Sequence, residues 1–273
     1  MYMRLKDGKT KVVTLSYDDG VIFDEKLIDI MNKYGLKGTF NINTGLYFPE
    51  DDERKGNSNR MKLSEAKELY INSGHEVAVH GLTHPFLERL ESDEIVYEIM
   101  EDRKNIEREF KTPARGMAYP YGTYNEKVVT ALNTCKIAYA RTVQSTENFG
   151  FPENWLKLNP TCHHNNPKLK ELVEKFLVDN KWNCPRMFYL WGHSYEFNND
   201  NNWEIIEEFG EMIGNRDDIW YATNIEIYDY IKAYERLVVS VDRKIINNPS
   251  AIPVWINISG ETICINAGET VYL

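Results

Sequence analysis

The sequence predicts an α/β fold: a (β/α) barrel over residues 1–236, followed by a small all-β extension over residues 237–273. Short apolar runs alternate with longer amphipathic stretches, which is typical of βαβ units and a parallel sheet. The number of these units indicates closure into a barrel, and barrels of 273 residues are common as one unit. After residue 236 the apolar pattern changes to a two-residue alternation, which marks the extension.

The predicted strands are short runs of β-branched and apolar residues that end at turn signals, as Tyr17 does before Asp-Asp-Gly. The predicted helices carry apolar residues at helical spacing, and Ser64 is expected to cap the second helix. Residues 43–61 are polar and contain Gly and Pro, so we expect a long loop that covers the site or carries specificity. The strands are expected at residues 11–17, 38–42, 75–80, 116–119, 137–142 and 187–191, and the helices at 25–34, from 64, 92–110, 125–132, 168–179, 203–213 and 225–236.

The extension reads as a few antiparallel strands. Its apolar residues alternate, and Asn247-Asn248-Pro249 and Ser259-Gly260 supply turns. A segment of this length is too short to fold well alone. We therefore expect it to pack on the barrel or on another subunit, which makes a homo-oligomer reasonable.

Composition excludes several classes of partner. Acidic residues outnumber basic ones 42 to 32, and the net charge of −10 argues against nucleic acids and anionic membrane surfaces. The chain shows neither an apolar signal segment nor a run approaching a membrane span, so we expect a cytoplasmic location. The four cysteines form no framework and are expected to be free thiols: Cys135, Cys162, Cys184 and Cys264.

Four polar clusters lie at or just beyond the C-terminal ends of predicted strands, where barrel enzymes place catalytic groups. Adjacent carboxylates can bind a metal and act as a base, and two histidines four residues apart can share one ion. A Pro-Gly turn can present an N–H to an oxyanion. Each cluster alone is also compatible with an ordinary turn or a structural histidine. The clusters are Asp18-Asp19-Gly20, His80 to His84, Tyr119-Pro120-Tyr121-Gly122 and Trp191-Gly192-His193.

Together, the order and spacing of these clusters resemble the NodB-like polysaccharide deacetylases, carbohydrate esterase family 4, over roughly residues 10 to 235. The resemblance implies a distorted (β/α) barrel and one divalent metal ion, usually zinc, bound by Asp19, His80 and His84. It implies that Asp18 is the general base for the metal-bound water and His193 the general acid. The Tyr121 N–H would hold the oxyanion, and the substrate pocket would include Trp191, Pro120 and Trp155.

The chain departs from the family pattern at three positions. Ala118 stands where the family often has an Arg that positions the base, and Arg115 is the nearest Arg before it. Trp191 replaces a common Leu, and Glu153-Asn154-Trp155 only approximates the fourth motif.

Three histidines stand outside the four clusters. Adjacent His163 and His164 either reach the site or form structural hydrogen bonds in a loop. His75, at the start of a predicted strand, is expected to be structural.

The sequence thus predicts a metal-dependent hydrolase that removes N- or O-acetyl groups from an acetylated sugar or oligosaccharide. It would act on carbon–nitrogen bonds other than peptide bonds, or on a carboxylic ester. A hydrolase of a non-sugar amide or ureide on the same fold remains an alternative. Further alternatives are a catalytically idle carbohydrate-binding protein and a structural module.

Overall fold

A computed structural model describes residues 1–51, 59–179 and 183–273. Within these ranges the chain forms eight α-helices and fourteen strands. The helices are α1 (Asp24–Lys33), α2 (Leu63–Ile71), α3 (Ser92–Phe110), α4 (Glu126–Thr134), α5 (Leu169–Val178), α6 (Ser194–Asn199), α7 (Glu204–Ile213) and α8 (Asn224–Glu235). The strands are β1 (Tyr2–Met3), β2 (Lys11–Asp18), β3 (Gly38–Ile42), β4 (Glu76–Val79), β5 (Gly116–Ala118), β6 (Tyr139–Arg141), β7 (Cys162–His163), β8 (Arg186–Gly192), β9 (Ile219–Tyr221), β10 (Val238–Val239), β11 (Ile245–Asn247), β12 (Val254–Ile258), β13 (Glu261–Ile265) and β14 (Thr270–Tyr272).

The main sheet is parallel throughout and has the strand order β6-β5-β4-β3-β2-β8-β7, with β9 also paired to β2. One edge of β2 carries β8, and its other edge is shared: β9 lies beside Lys11 to Val13 and β3 beside Leu15 to Asp18. Sharing one edge between two strands distorts the barrel. The predicted α/β barrel is confirmed in this distorted form.

The gap between the edge strands β6 and β7 is bridged by the chain segment that leads into β7. Leu158 exchanges backbone hydrogen bonds with Ala140 and Thr142 beside β6, and the Thr161 N–H donates to the Tyr189 carbonyl on β8. The curled sheet therefore has a defined interior, and the C-terminal ends of its strands meet at one rim.

Side-chain alternation assigns residues to the two faces of the sheet. On β2, Val13 and Leu15 join the core beneath the helices, whereas Val12 joins a second core, inside the barrel, that also holds Tyr189 and Tyr230. The inner face of β2 continues from Val12 through residues 14 and 16 to Asp18. It becomes polar toward the rim, which points the side chain of Asp18 into the mouth of the barrel.

The extension forms two small antiparallel sheets, in the orders β1-β12-β13 and β10-β11-β14. Antiparallel pairing there agrees with the two-residue alternation, and the N-terminal strand β1 adds to it through Tyr2 and Met3. Ile246, Val254 and Ile256 pack with Ala233 of α8, so the extension lies against the barrel's last helix. How the chain divides into domains stays a prediction.

Local differences from the expected elements have physical causes. Lys62, rather than Ser64, is the N-cap of α2: Glu65 accepts from the Lys62 N–H, while Glu50 takes both the N–H and hydroxyl of Ser64. Strands β7 and β9, with two and three residues, were not expected. Helix α6 was not expected either, and it begins directly after His193.

Three further observations concern the expected loop, the helices and the cysteines. Of residues 43–61, expected to be one loop, 52–58 lie outside the described residues. None of the described helices has the length and apolar character needed to cross a membrane. The four cysteines, all within the described ranges, are free.

Candidate active site

The inner faces of the strands converge on the rim of the barrel, where Asp18 ends β2. The Asn41 amide of β3 donates to Asp18 Oδ1 at 2.9 Å, and the Arg141 guanidinium of β6 donates to Oδ2. Oδ2 also lies 3.8 Å from His80 Nε2 and 4.0 Å from His193 Nε2. Burial alone would raise the pKa of Asp18, but Arg141 and the neighbouring histidines outweigh it and lower the pKa. Asp18 therefore remains a carboxylate facing both histidines.

Asp19, His80 and His84, the metal ligands predicted from the sequence, lie close together in the structure. Asp19 Oδ1 lies 3.6 Å from His84 Nε2 and 4.0 Å from His80 Nε2. The pKa of His84 is lowered to about 4 by burial and by His80, and burial lowers the pKa of His80 as well. Both imidazoles are therefore neutral near pH 7, with lone pairs available to an ion.

Backbone and neighbouring groups orient these ligands. His80 Nδ1 lies 2.9 Å from the Ala118 carbonyl, which fixes the ring so that Nε2 faces Asp19. Asp19 and His84 have left-handed backbones, with φ of +83° and +56°. Left-handed conformations at non-glycine residues are strained and cluster at functional sites. Two nitrogens and one carboxylate oxygen suit a catalytic divalent ion with open positions, so the residues fit the implied metal.

The loop between the two histidines is held by carboxylates of α3. Asp102 accepts the His80 N–H at 3.0 Å and both the N–H and hydroxyl of Thr44. Glu98 accepts the N–H and hydroxyl of Thr83. The polar residues on the buried face of α3 therefore hold the turn that carries His80 and His84.

His193 follows β8 and is the N-cap of α6. Glu196, three residues later, accepts the His193 backbone N–H at 3.1 Å, and its Oε2 lies 3.2 Å from His193 Nδ1. Burial lowers the pKa of His193, but the carboxylates of Glu196 and Asp18 more than offset this and raise the pKa overall. His193 thus favours the imidazolium form, with Nε2 directed toward Asp18.

His163 and His164 reach this part of the site, as one of the two expectations had it. Their Nε2 atoms lie 3.1 and 3.3 Å from Glu196 Oε2, so one carboxylate oxygen is shared by three imidazoles. The neighbouring imidazoles of His163 and His193 lower the pKa of Glu196 against the effect of burial. His75 is elsewhere: its Nδ1 accepts the Gly38 N–H at the opposite end of the barrel.

The Pro120-Tyr121-Gly122 turn lies beside the metal ligands. Tyr121 has a left-handed backbone, with φ of +58°, and its ring packs edge-on against His84 at 4.4 Å. The same ring stacks on Phe86 at 3.8 Å and is 52 % exposed. The buried Pro120 lies against Gly81, where an added Cβ would be 3.4 Å from the proline ring. Tyr121 and Phe86 therefore form an exposed aromatic face beside the ligands.

Trp191 and Trp155 lie in different places. The buried Trp191 ring lies edge-on to His163 at 4.6 Å and to His193 at 5.8 Å, so it forms part of the site. Trp155 packs edge-on against Tyr228 of α8, within the core inside the barrel. Among the predicted site residues in the described ranges, Trp155 is therefore the one that the structure does not bring to the others.

Arg141, Asn41, Glu196 and Arg60 are site residues that sequence reasoning did not single out. Arg141 and Asn41 are polar residues inside predicted buried strands, and Glu196 lies at the capping-box spacing from His193. These signals were available. Arg60, near the end of the expected loop, donates to the Asp19 carbonyl and lies 3.3 Å from Asp19 Oδ1. It gave no local signal.

Comparisons with known proteins agree with this arrangement. Residues 5–140 match the family model described as polysaccharide deacetylase. No curated protein sequence matches the chain.

Solved structures extend the comparison to the fold. The Streptomyces lividans family 4 carbohydrate esterase in complex with acetate is 16 % identical with a TM-score of 0.51, covering 75 % of this chain and 88 % of that one. A CE4 family pseudoenzyme from Bacillus anthracis is 16 % identical with a TM-score of 0.50, covering 84 % and 68 %. The Streptococcus pyogenes deacetylase PplD, in complex with acetate, is 25 % identical with a TM-score of 0.47, covering 54 % of this chain and 62 % of its own length. By its family match, its barrel and its motifs, the chain belongs to the NodB-like polysaccharide deacetylases.

Proposed function

We propose that this protein is a metal-dependent deacylase that removes acetyl groups from a carbohydrate. One observation carries the proposal: Asp18 Oδ2 lies between His80 Nε2, at 3.8 Å, and His193 Nε2, at 4.0 Å. This position suits a base that acts between the proposed metal ligands and the proposed acid. The lowered pKa of Asp18 and the raised pKa of His193 support these two roles.

Asp19, His80 and His84 would hold one divalent ion, and zinc suits this donor set. When bound, the ion lowers the pKa of a water molecule and polarises the acyl carbonyl. Asp18 accepts the proton of the attacking water, and the Tyr121 N–H donates to the carbonyl oxygen as it becomes negative. His193 then gives its Nε2 proton to the departing amine or alkoxide, which leaves acetate and the deacetylated sugar.

Four neighbouring side chains position the proposed acid, the proposed base and one proposed metal ligand. Glu196 orients His193 through Nδ1, Arg141 and Asn41 hold the two oxygens of Asp18, and Arg60 holds Asp19. The aromatic face of Tyr121 and Phe86 favours a sugar, because pyranose rings offer apolar faces to such surfaces. Trp191 would bound the pocket for the acyl methyl group, with Pro120 beside it.

The test uses chelator-stripped protein and a panel of N- and O-acetylated sugars and oligosaccharides, with and without added Zn²⁺. We expect zinc-dependent acetate release from at least one sugar, and none from the metal-free protein or from His84→Ala. The same panel includes acyclic amides and cyclic ureides. Zinc-dependent cleavage of these alone would favour the non-sugar amide hydrolase instead.

A catalytically idle carbohydrate-binding protein is the second candidate, favoured by the likeness to a CE4 family pseudoenzyme. The presence of both Asp18 and His193 argues against it. Sugar binding by a metal-loaded protein that cleaves none of the panel would support it.

A further inference from the structure

Arg141 is fully buried and lies between two parts of the site. Its guanidinium donates to Asp18 Oδ2 and, at 3.2 Å, to the Thr142 carbonyl. The guanidinium carbon also lies 4.4 Å from the ring centroid of Trp191. Burying a cation is costly unless it is paired, and here a carboxylate and an aromatic face supply the pairing. One side chain therefore touches both the base and the proposed wall of the acyl pocket.

The register of the sheet explains how Arg141 reaches the base. Arg141 on β6 is the paired partner of Ala118 on β5, so both side chains leave the same face at the same level. Ala118 is itself fully buried. A small side chain at position 118 does not obstruct the longer Arg141, which leaves the same face at the same level and reaches Asp18. Arginine side chains at both positions would compete for that space.

Trp191 supplies the aromatic surface that the Arg141 guanidinium contacts. It lies opposite Ser16 in the β8–β2 register, two residues before the level of Asp18, and its ring is 8 % exposed. A guanidinium is planar and stacks on aromatic faces, whereas a branched aliphatic side chain offers no flat surface for it. The ring of Trp191 thus gives the Arg141 guanidinium a flat surface to lie against.

We propose that Arg141 is a positioning residue that ties the base Asp18 to the pocket wall Trp191. Ala118, Arg141 and Trp191 then form one compensating set: an arginine on β6 requires a small residue at 118 and a flat ring at 191. The two departures from the family pattern on β5 and β8 are consequences of this one change. Its effect on catalysis rests on the proposed function, whereas its effect on packing does not.

The packing consequence is tested by a double-mutant cycle in urea unfolding of the metal-loaded protein. Arg141→Lys keeps the positive charge but removes the planar guanidinium, and Trp191→Leu removes the indole ring. We expect the double variant to lose less stability than the two single losses combined, because either change alone already breaks the stack. Arg115→Lys is the matched control, because Arg115 pairs with Asp229. Its loss of stability should add to that of Trp191→Leu. If the stability losses of Arg141→Lys and Trp191→Leu are also additive, the proposed coupling between Arg141 and Trp191 is wrong.

The catalytic consequence is tested by moving the arginine back. Arg141→Ala should lower kcat for the best acetylated substrate about a hundredfold, the order expected for a displaced base, with bound zinc unchanged. In the Arg141→Ala, Trp191→Leu background, adding Ala118→Arg should restore kcat at least tenfold. A folded, zinc-loaded triple variant without recovery overturns the relocation, as does an Arg141→Ala enzyme of near wild-type kcat.

These outcomes separate the inference from the function on which it rests. If the wild-type protein cleaves no acetylated sugar, the proposed deacylase activity fails, and the unfolding cycle still decides whether Arg141 and Trp191 are coupled. If the wild type is active and the cycle is additive, the deacylase stands and the coupling fails.

Discussion

Replacing Glu196 by Gln removes the carboxylate behind the proposed acid and keeps its shape. Glu196 Oε2 lies 3.2 Å from His193 Nδ1, and the side chain is 26 % exposed. An opposite charge within about 4–6 Å shifts a pKa by roughly 1–3 units, and the partial exposure of Glu196 places this pair at the lower end. The pKa of His193 should therefore fall by about one unit, which corresponds to about 1.36 kcal/mol.

The direction of the pH shift follows from the proton that His193 must hold as the acid. Glu196 raises the pKa of His193, and the acid works only while protonated, so activity is lost as the pH rises through this pKa. In Glu196→Gln the basic limb of kcat/KM against pH should therefore shift about one unit toward lower pH. Acetate release measured between pH 5 and pH 10 gives both limbs. Glu204→Gln, an equal charge change on the exposed side of α7, is the matched control. An unmoved basic limb in Glu196→Gln would refute the assignment of Glu196 to His193.

Three further perturbations follow from the geometry. Gly192→Ala would place a Cβ 2.0 Å from His164 Nδ1, so we expect about 1–3 kcal/mol of destabilisation by urea unfolding, and a larger fall in kcat than Gly150→Ala causes. Asp24 is buried against Ser194 and Tyr70, and burial raises its pKa to about 7. Between pH 4 and pH 7 the folded state therefore keeps a proton on Asp24 that the unfolded state has lost, so the stability of the metal-free wild type should fall as the pH rises. Thermal melting should show a flatter dependence of stability on pH for Asp24→Asn. His84→Ala should bind less than a tenth of the wild-type zinc by metal analysis, and unchanged zinc would exclude His84 as a ligand.

The sequence was sufficient for the barrel because each strand is a short apolar run with its own turn signal. Period-two alternation then places Asp18 on the same face of β2 as Val12. The position of Asp18 at the rim therefore follows from local pattern alone. The short strands β7 and β9 were not recognised from this pattern.

Side-chain contacts between residues that are far apart in the sequence could not be predicted from local pattern. The link between Arg141 and Asp18 depends on strand register, since Arg141 lies opposite Ala118 rather than near Asp18 in the chain. Motif position suggested Arg115 as the nearest alternative, yet Arg115 pairs with Asp229 of α8. Only the closed sheet brings β6 across from β2.

Trp155 shows the opposite error. Its place after Glu153 and Asn154 imitates a family motif, but Asn154 caps the short turn that holds Trp155, and the ring faces Tyr228. A sequence match of this kind identifies residue types but does not show where the side chains point. Glu196 could have been found instead from its capping-box spacing to His193.

The central claim is that Asp18 is the base and is not a ligand of the metal. The most direct test measures zinc per chain and acetate release for wild type and Asp18→Asn, side by side. We predict about one zinc in both proteins, as the separate Asp19 set requires, with acetate release reduced by about 10²–10⁴-fold in the variant. Loss of zinc in Asp18→Asn, or acetate release close to wild type, would contradict this account of the site.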